Sequence, residues 1–222
     1  MWNTYLIIVV ALLVFDYLLE RITDYLNLKN FSETIPEEFK DVYSEEKYAE
    51  SQRYSRDRTK FGVISDTLSL PVVLAFILLG GFAWVDGVAS GISENIIVRG
   101  LAFAGILALL SQLFGLPFSI YSTFVIEERY GFNKTKPKTF VMDMIKGLIL
   151  GVLLGAPILA LVIWFFDSFE LAWLYVWGAV IVYQLMLMYI APVWIMPLFN
   201  KFEPLEDGEL QEAIQALSLI HI

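Results

Sequence analysis

Five stretches of the chain run apolar far longer than a soluble core helix requires. They are Trp2–Leu19 (interrupted by Asp16), Leu68–Val85, Gly100–Ile126, Gly147–Phe166 and Leu171–Val193. A helix crossing ~30 Å of hydrocarbon takes roughly 20 mostly apolar residues. Inside the bilayer the backbone must bond to itself, so each stretch predicts a transmembrane α-helix. The third is long enough to tilt or to extend beyond the bilayer. The first has no basic residue before Arg21 and no small-residue cleavage pattern after it, so it reads as a retained span and not as a cleaved leader. The fold class this predicts is all-α, a polytopic membrane protein with about five spans.

The polar segments between these runs set orientation. Eight Lys and Arg residues lie between Glu20 and Asp66, five lie between Glu127 and Lys146, and the tail has Lys201, against Arg99 alone on the other side. Basic residues stay cytosolic. The N-terminus is therefore expected outside, with both basic loops and the C-terminal tail in the cytosol. Trp164, Trp173, Trp177 and Tyr175 flank the turn between the last two runs and read as an interfacial aromatic belt.

The first loop, about residues 34–64, carries two helix-start patterns, Thr34-Ile35-Pro36-Glu37 and Ser44-Glu45-Glu46-Lys47. Phe39, Tyr43, Tyr54 and Phe61 fall on one helical face. Two readings stand: a helix packed on the membrane domain, or a solvated charged connector. Within the spans, Gly147, Gly151 and Gly155 form a small-xxx-small ladder that suits close helix packing. Pro71, Pro117 and Pro157 are expected to kink their helices. Asp16 is the one acid well inside a span, which makes it a functional candidate by its cost alone.

Composition agrees and narrows the chemistry. Of 222 residues, 58% are hydrophobic and 18% charged. The net charge of −9 speaks against a nucleic-acid partner; membrane lipids are the expected surroundings. There is no cysteine and one histidine, His221, so no two-histidine or thiolate zinc site can form from this sequence.

Two segments are more specific than hydropathy. The first is Glu127-Glu128-Arg129-Tyr130-Gly131-Phe132-Asn133-Lys134. The second runs from Pro197-Leu198-Phe199-Asn200-Lys201-Phe202 through Glu203-Pro204-Leu205 to Gly208-Glu209-Leu210. From the residues alone, the first reads as a polar turn with Gly131 left-handed, followed by lysines near anionic headgroups. Together the two resemble the N-terminal membrane region of the type I CAAX prenyl proteases, over about Phe15 to Ala216, with Glu46-Lys47 and Ser51-x-x-Tyr54 in agreement.

That resemblance implies seven spans around an intramembrane chamber, and zinc held by an HExxH helix and a further glutamate. It also implies cleavage of prenylated C-terminal CAAX peptides or other peptide substrates. Residues 1–200 would be the membrane domain. Residues 201–222 would be the start of the metalloprotease domain, whose last residues depart from the family pattern, as in a reading frame cut short. The HExxH motif is absent from the sequence. No catalytic or metal residue is therefore assigned, no zinc is expected on this chain, and it is expected to be inactive alone. The resemblance implies the endoplasmic reticulum for a eukaryotic source and the inner membrane for a bacterial one. The competing functional readings are a transporter subunit, a scaffold, or a prenyl- or lipid-binding module.

Overall fold

The computed structural model describes residues 3–37, 40–41, 44–203 and 208–220, the last three by backbone alone. Phe39, Tyr43, Pro204, Leu205 and His221 lie outside the described residues. The elements are α1 (Thr4–Asn30), α2 (Glu45–Leu78), α3 (Gly81–Ile92), α4 (Ile96–Tyr121), α5 (Pro137–Ser168), α6 (Ala172–Ile190), α7 (Met196–Phe199) and α8 (Glu209–Ile220). α4 runs on through a π-helical turn at Ser122–Glu127, and α6 through another at Ala191–Ile195. Among the described residues there is no strand, and the fold is an all-α, polytopic membrane fold. The chain divides into two compact units, residues 1–144 and 145–222.

Among the described residues, four helices are long and apolar enough to cross a membrane: Glu45–Leu78, Ile96–Glu127, Pro137–Ser168 and Ala172–Phe199. α1 falls short of that measure for a simple reason. Any 18 consecutive residues of it include Asp16, Glu20 and Arg21. Along the apolar runs the exposed side chains are largely hydrophobic; among the described residues, only Ile35, Val85, Ala89, Ile126 and Ala172 are buried hydrophobic positions. Exposed Leu, Ile and Val side chains along the spans suit a solvent of lipid chains.

The structure redraws two sequence boundaries. The loop helix does not begin at Thr34. Residues 31–36 are non-helical, and α2 starts after Ser44, whose hydroxyl accepts from the Lys47 amide at 3.4 Å. α2 then continues without a break into the second apolar run, so the polar loop helix and the span are one helix. At its far end the run Leu68–Val85 is not one helix either. α2 stops at Leu78, Gly80 takes φ +82°, and α3 begins at Gly81. Gly81 then lies against the Phe76 ring, which an added Cβ would strike.

In the first unit, α1 packs on α2, and α2 continues into α3, which pairs with α4. The α1–α2 seam is polar at one level. Arg21 donates to Asp66 at 2.9 Å and to the Val63 carbonyl at 3.2 Å, and pairs with Asp24 at 2.8 Å. Tyr17 lies under the Arg21 guanidinium at 5.1 Å and shares a 2.8 Å hydrogen bond with Thr67. At the α3–α4 end, Arg99 forks onto both carboxylate oxygens of Asp86. In the second unit, Tyr183 on α6 donates to the Leu154 carbonyl of α5 at 2.7 Å. Pro71, Pro117 and Pro157 all lie inside continuing helices. Beside Gly147, Gly151 and Gly155 there is open space: nothing lies within 4 Å of an added Cβ. The close helix contact expected of that ladder is absent among the described residues.

These environments separate the glycines by experiment. Gly80→Ala forces an L-residue into the left-handed region and is expected to destabilise the chain by about 1–2 kcal/mol. Gly151→Ala meets nothing and gains helix propensity, so it is expected to be neutral or stabilising by up to about 1 kcal/mol. Thermal unfolding of both variants in the same detergent should order them in that way.

Candidate functional site

The segment Glu127–Asn133 ends the α4 rod in a turn closed by its own backbone bonds. The Phe132 amide donates to the Glu127 carbonyl at 2.9 Å and the Gly131 amide to the Glu128 carbonyl at 3.1 Å. Gly131 sits at φ +72°. A six-to-one bond enclosing a five-to-two bond, with glycine in the left-handed region, is a Schellman motif. The Asn133 amide adds a second bond to the Glu127 carbonyl, at 3.2 Å. Its side chain donates to Glu128 Oε2 at 3.0 Å and accepts from the Thr135 amide at 2.7 Å, which leads the chain into α5 at Pro137. The reading of a polar turn around a left-handed Gly131 is what the structure has.

This turn is held on the polar half of α2. The hydroxyl of Tyr130 and Nη1 of Arg129 both reach Asp57 Oδ2 at 2.8 Å. The Tyr54 ring meets Tyr130 edge-on, with centroids 5.3 Å apart, and Phe132 at 4.8 Å. Two turns further along α2, Phe61 stacks on Tyr121 at 4.9 Å. Tyr54 and Phe61 therefore do share a packing face, and the helix lies on the membrane unit instead of standing free as a connector. Asp57 escaped sequence reading. It sits in a run of mixed charge, and its partners are 72 and 73 residues away. The one local signal was its placement three residues after Tyr54, on the same helical face.

The electrostatics of this contact follow from its geometry. The Tyr130 hydrogen bond, with help from Arg129, holds the Asp57 carboxyl below its ordinary range. Withdrawal from water, then the bond to Asp57, pushes the Tyr130 hydroxyl above its own. The ion pair itself is exposed, with 55% of the Arg129 side chain accessible, and contributes little. A hydrogen bond to an ionised acceptor is the stronger element.

The second motif is anchored differently. Lys146 on α5 donates to the Leu198 carbonyl at 2.9 Å and lies 5.5 Å from the centre of the Phe199 ring. Pro197 lies inside α7, and Asn200 follows it, its amide bonded to the Met196 carbonyl at 3.0 Å. Phe202 is exposed. Gly208 and Glu209 open α8, where Gly208 accepts from the Glu212 amide at 3.0 Å and Leu210 faces outward. Asp16 is exposed on α1, with no hydrogen-bond or ion-pair partner among the described residues. None of these residues builds a metal centre. Among the described residues there is no group of three His, Cys, Asp or Glu side chains that could hold an ion. The zinc implied by the resemblance does not fit on them.

Long apolar helices, with polar segments at Glu127–Asn133 and after Phe199, define a multi-pass integral membrane protein. Residues 24–201 match the family model described as CAAX prenyl protease N-terminal, five membrane helices, and the chain belongs to that family. The match starts beyond the apolar part of α1. "CAAX prenyl protease 1" of Saccharomyces cerevisiae is 37% identical over 211 residues, covering 90% of this chain and 47% of that protein. The Arabidopsis thaliana homologue is 37% identical over 223 residues, covering 95% and 52%. The crystal structure of S. mikatae Ste24p superposes with a TM-score of 0.87 at 38% identity, over 97% of this chain and 52% of that one. The chain spans about half the length of the curated relatives it matches.

Two measurements check the turn. Tyr130→Phe removes one hydrogen bond and is expected to cost about 1 kcal/mol, or somewhat more because the acceptor is charged. Thermal unfolding in detergent reads it. The pH dependence has two limits. A lowered Asp57 pKa contributes stability above the unfolded value and loses it as pH falls through the folded one. A raised Tyr130 pKa contributes below the unfolded value and loses it as pH rises through the folded one. The spin-label spectrum of a cysteine at Lys134 should therefore stay constant across neutral pH. It should sharpen only below the usual carboxylate range and above the usual tyrosine range.

Proposed function

We propose that this chain is the membrane half of a zinc metalloendopeptidase that cleaves prenylated C-terminal CAAX sequences. The supporting observation is the match to Ste24p, at 38% identity over nearly the whole of this chain and about half of that one. The relatives' printed names supply the substrate class. Zinc ligation and water activation fall to polypeptide beyond these 222 residues, and the 222 residues alone do not cleave. The part played by this chain is to hold the substrate-bearing end of a lipid-modified protein within reach of the bilayer. The E-E-x-x-G-F-N turn and the Pro197–Phe202 segment brace the protease half at the cytosolic mouth. The N-terminus lies outside and both motifs face the cytosol, on the Lys and Arg count. The eukaryotic relatives favour the endoplasmic reticulum membrane.

The test joins this chain to the remaining half of the Saccharomyces cerevisiae relative, in cells lacking their own copy. Cleavage of a farnesylated CAAX peptide that is lost with a chelator and restored by zinc is the expected result. A joined protein that accumulates in the membrane but leaves the peptide intact overturns the reading, and so does cleavage by the 222-residue chain alone. Orientation is checked separately, because the chain has no native cysteine. Single cysteines at Asn133 and Asn200 should label from the cytosolic side and one at Glu94 from the other. Opposite faces for Asn133 and Asn200 would remove the brace.

A further inference from the structure

We propose that Asp57 is the positioning residue of the E-E-x-x-G-F-N turn, fixing where that turn stands by drawing Arg129 and Tyr130 onto α2. The family motif contains the turn but not the acid that receives it. One carboxylate oxygen, Asp57 Oδ2, takes two donors from consecutive residues, each at 2.8 Å. Consecutive donors converging on one atom fix both the distance and the rotation of the segment that carries them. The Tyr54 ring, three residues earlier on the same helix, closes against Tyr130 and Phe132 and excludes sliding along α2. The internal bonds of the Schellman turn set its shape but not its place. Glu127 and Glu128 carry those bonds through their carbonyls, and among the described residues neither side chain has a hydrogen bond or ion pair to α2. The place of the turn therefore depends on residue 57, a polar position that a solvated helix would leave free to vary.

The consequence for activity rests on the protease reading above; the consequence for the turn does not. The joined protein carries a spin label on a cysteine at Lys134, an exposed position whose side chain has no hydrogen bond or ion pair among the described residues. Asp57→Ala is expected to mobilise the label and to lower kcat/KM for a farnesylated peptide on the order of tenfold or more, with the amount of folded protein unchanged. Tyr130→Phe, which removes the donor of the stronger bond, should mobilise the label as well and add little to Asp57→Ala in the double variant. A purely local helix effect at residue 57 would instead add in full to the loss at residue 130. An immobile label in Asp57→Ala overturns the proposal, as does a mobilised label with undiminished kcat/KM. If the wild-type joined protein is inactive, the protease reading fails and the label alone decides the positioning role.

Discussion

A helix satisfies its backbone equally well in water and in hydrocarbon, and α2 exploits this by being both a polar arm and an apolar segment long enough to span a membrane. It begins at a serine cap in a charged segment and ends 34 residues later at Leu78, without a break. At 1.5 Å per residue that is about 50 Å, more than the hydrocarbon needs. The polar half therefore projects from the bilayer as a rigid continuation of the apolar half. Whatever docks on Tyr54 and Asp57 is referenced to the apolar segment through one continuous helix, whose ladder lacks the bond that Pro71 has no N–H to make. Docking on a flexible loop would carry no such reference.

The two family motifs use this kind of support in separate ways. Glu127, Glu128, Gly131 and Asn133 spend their hydrogen bonds on closing a turn, and that turn is seated by residues outside the motif. Leu198 and Phe199 are held by Lys146, a residue of the preceding span. The first motif begins on the last residue of a π-helical turn and the second follows one, an insertion that costs a helix its regular bonding and is frequent at functional sites. The specific sequence is thus concentrated where a long apolar helix changes register and gives way to polar chain.

Much of the fold was legible because its rules are local. Apolar run length located four of the helices that can span, Ser44 announced the start of α2, and Tyr54 with Phe61 declared a packing face. Three things were not legible. Thr34 has the same capping chemistry as Ser44, but no helix follows it, because a cap stabilises a helix that packing has already favoured. Gly80-Gly81 sits within an apolar run that hydropathy treats as continuous, and only the positive φ at Gly80 shows the break. Asp57 looked like any charge on a solvated face, since its partners lie more than 70 residues away. The glycine ladder of α5 erred the other way: its pattern promised a neighbour that the described residues do not supply. Of the candidate site, the turn was readable from Gly131 and its flanking acids, whereas the platform beneath it was not.

The most direct test is a cross-link between that turn and its platform. The protein has no cysteine, so Tyr54→Cys with Phe132→Cys introduces a single pair at positions whose rings lie 4.8 Å apart. A short bifunctional maleimide should join them in high yield in native membranes. A control pair, Glu50→Cys with Phe132→Cys, starts one helical turn further from the contact and should react far less. Equal yields from the two pairs would contradict the claim that α2 seats the turn.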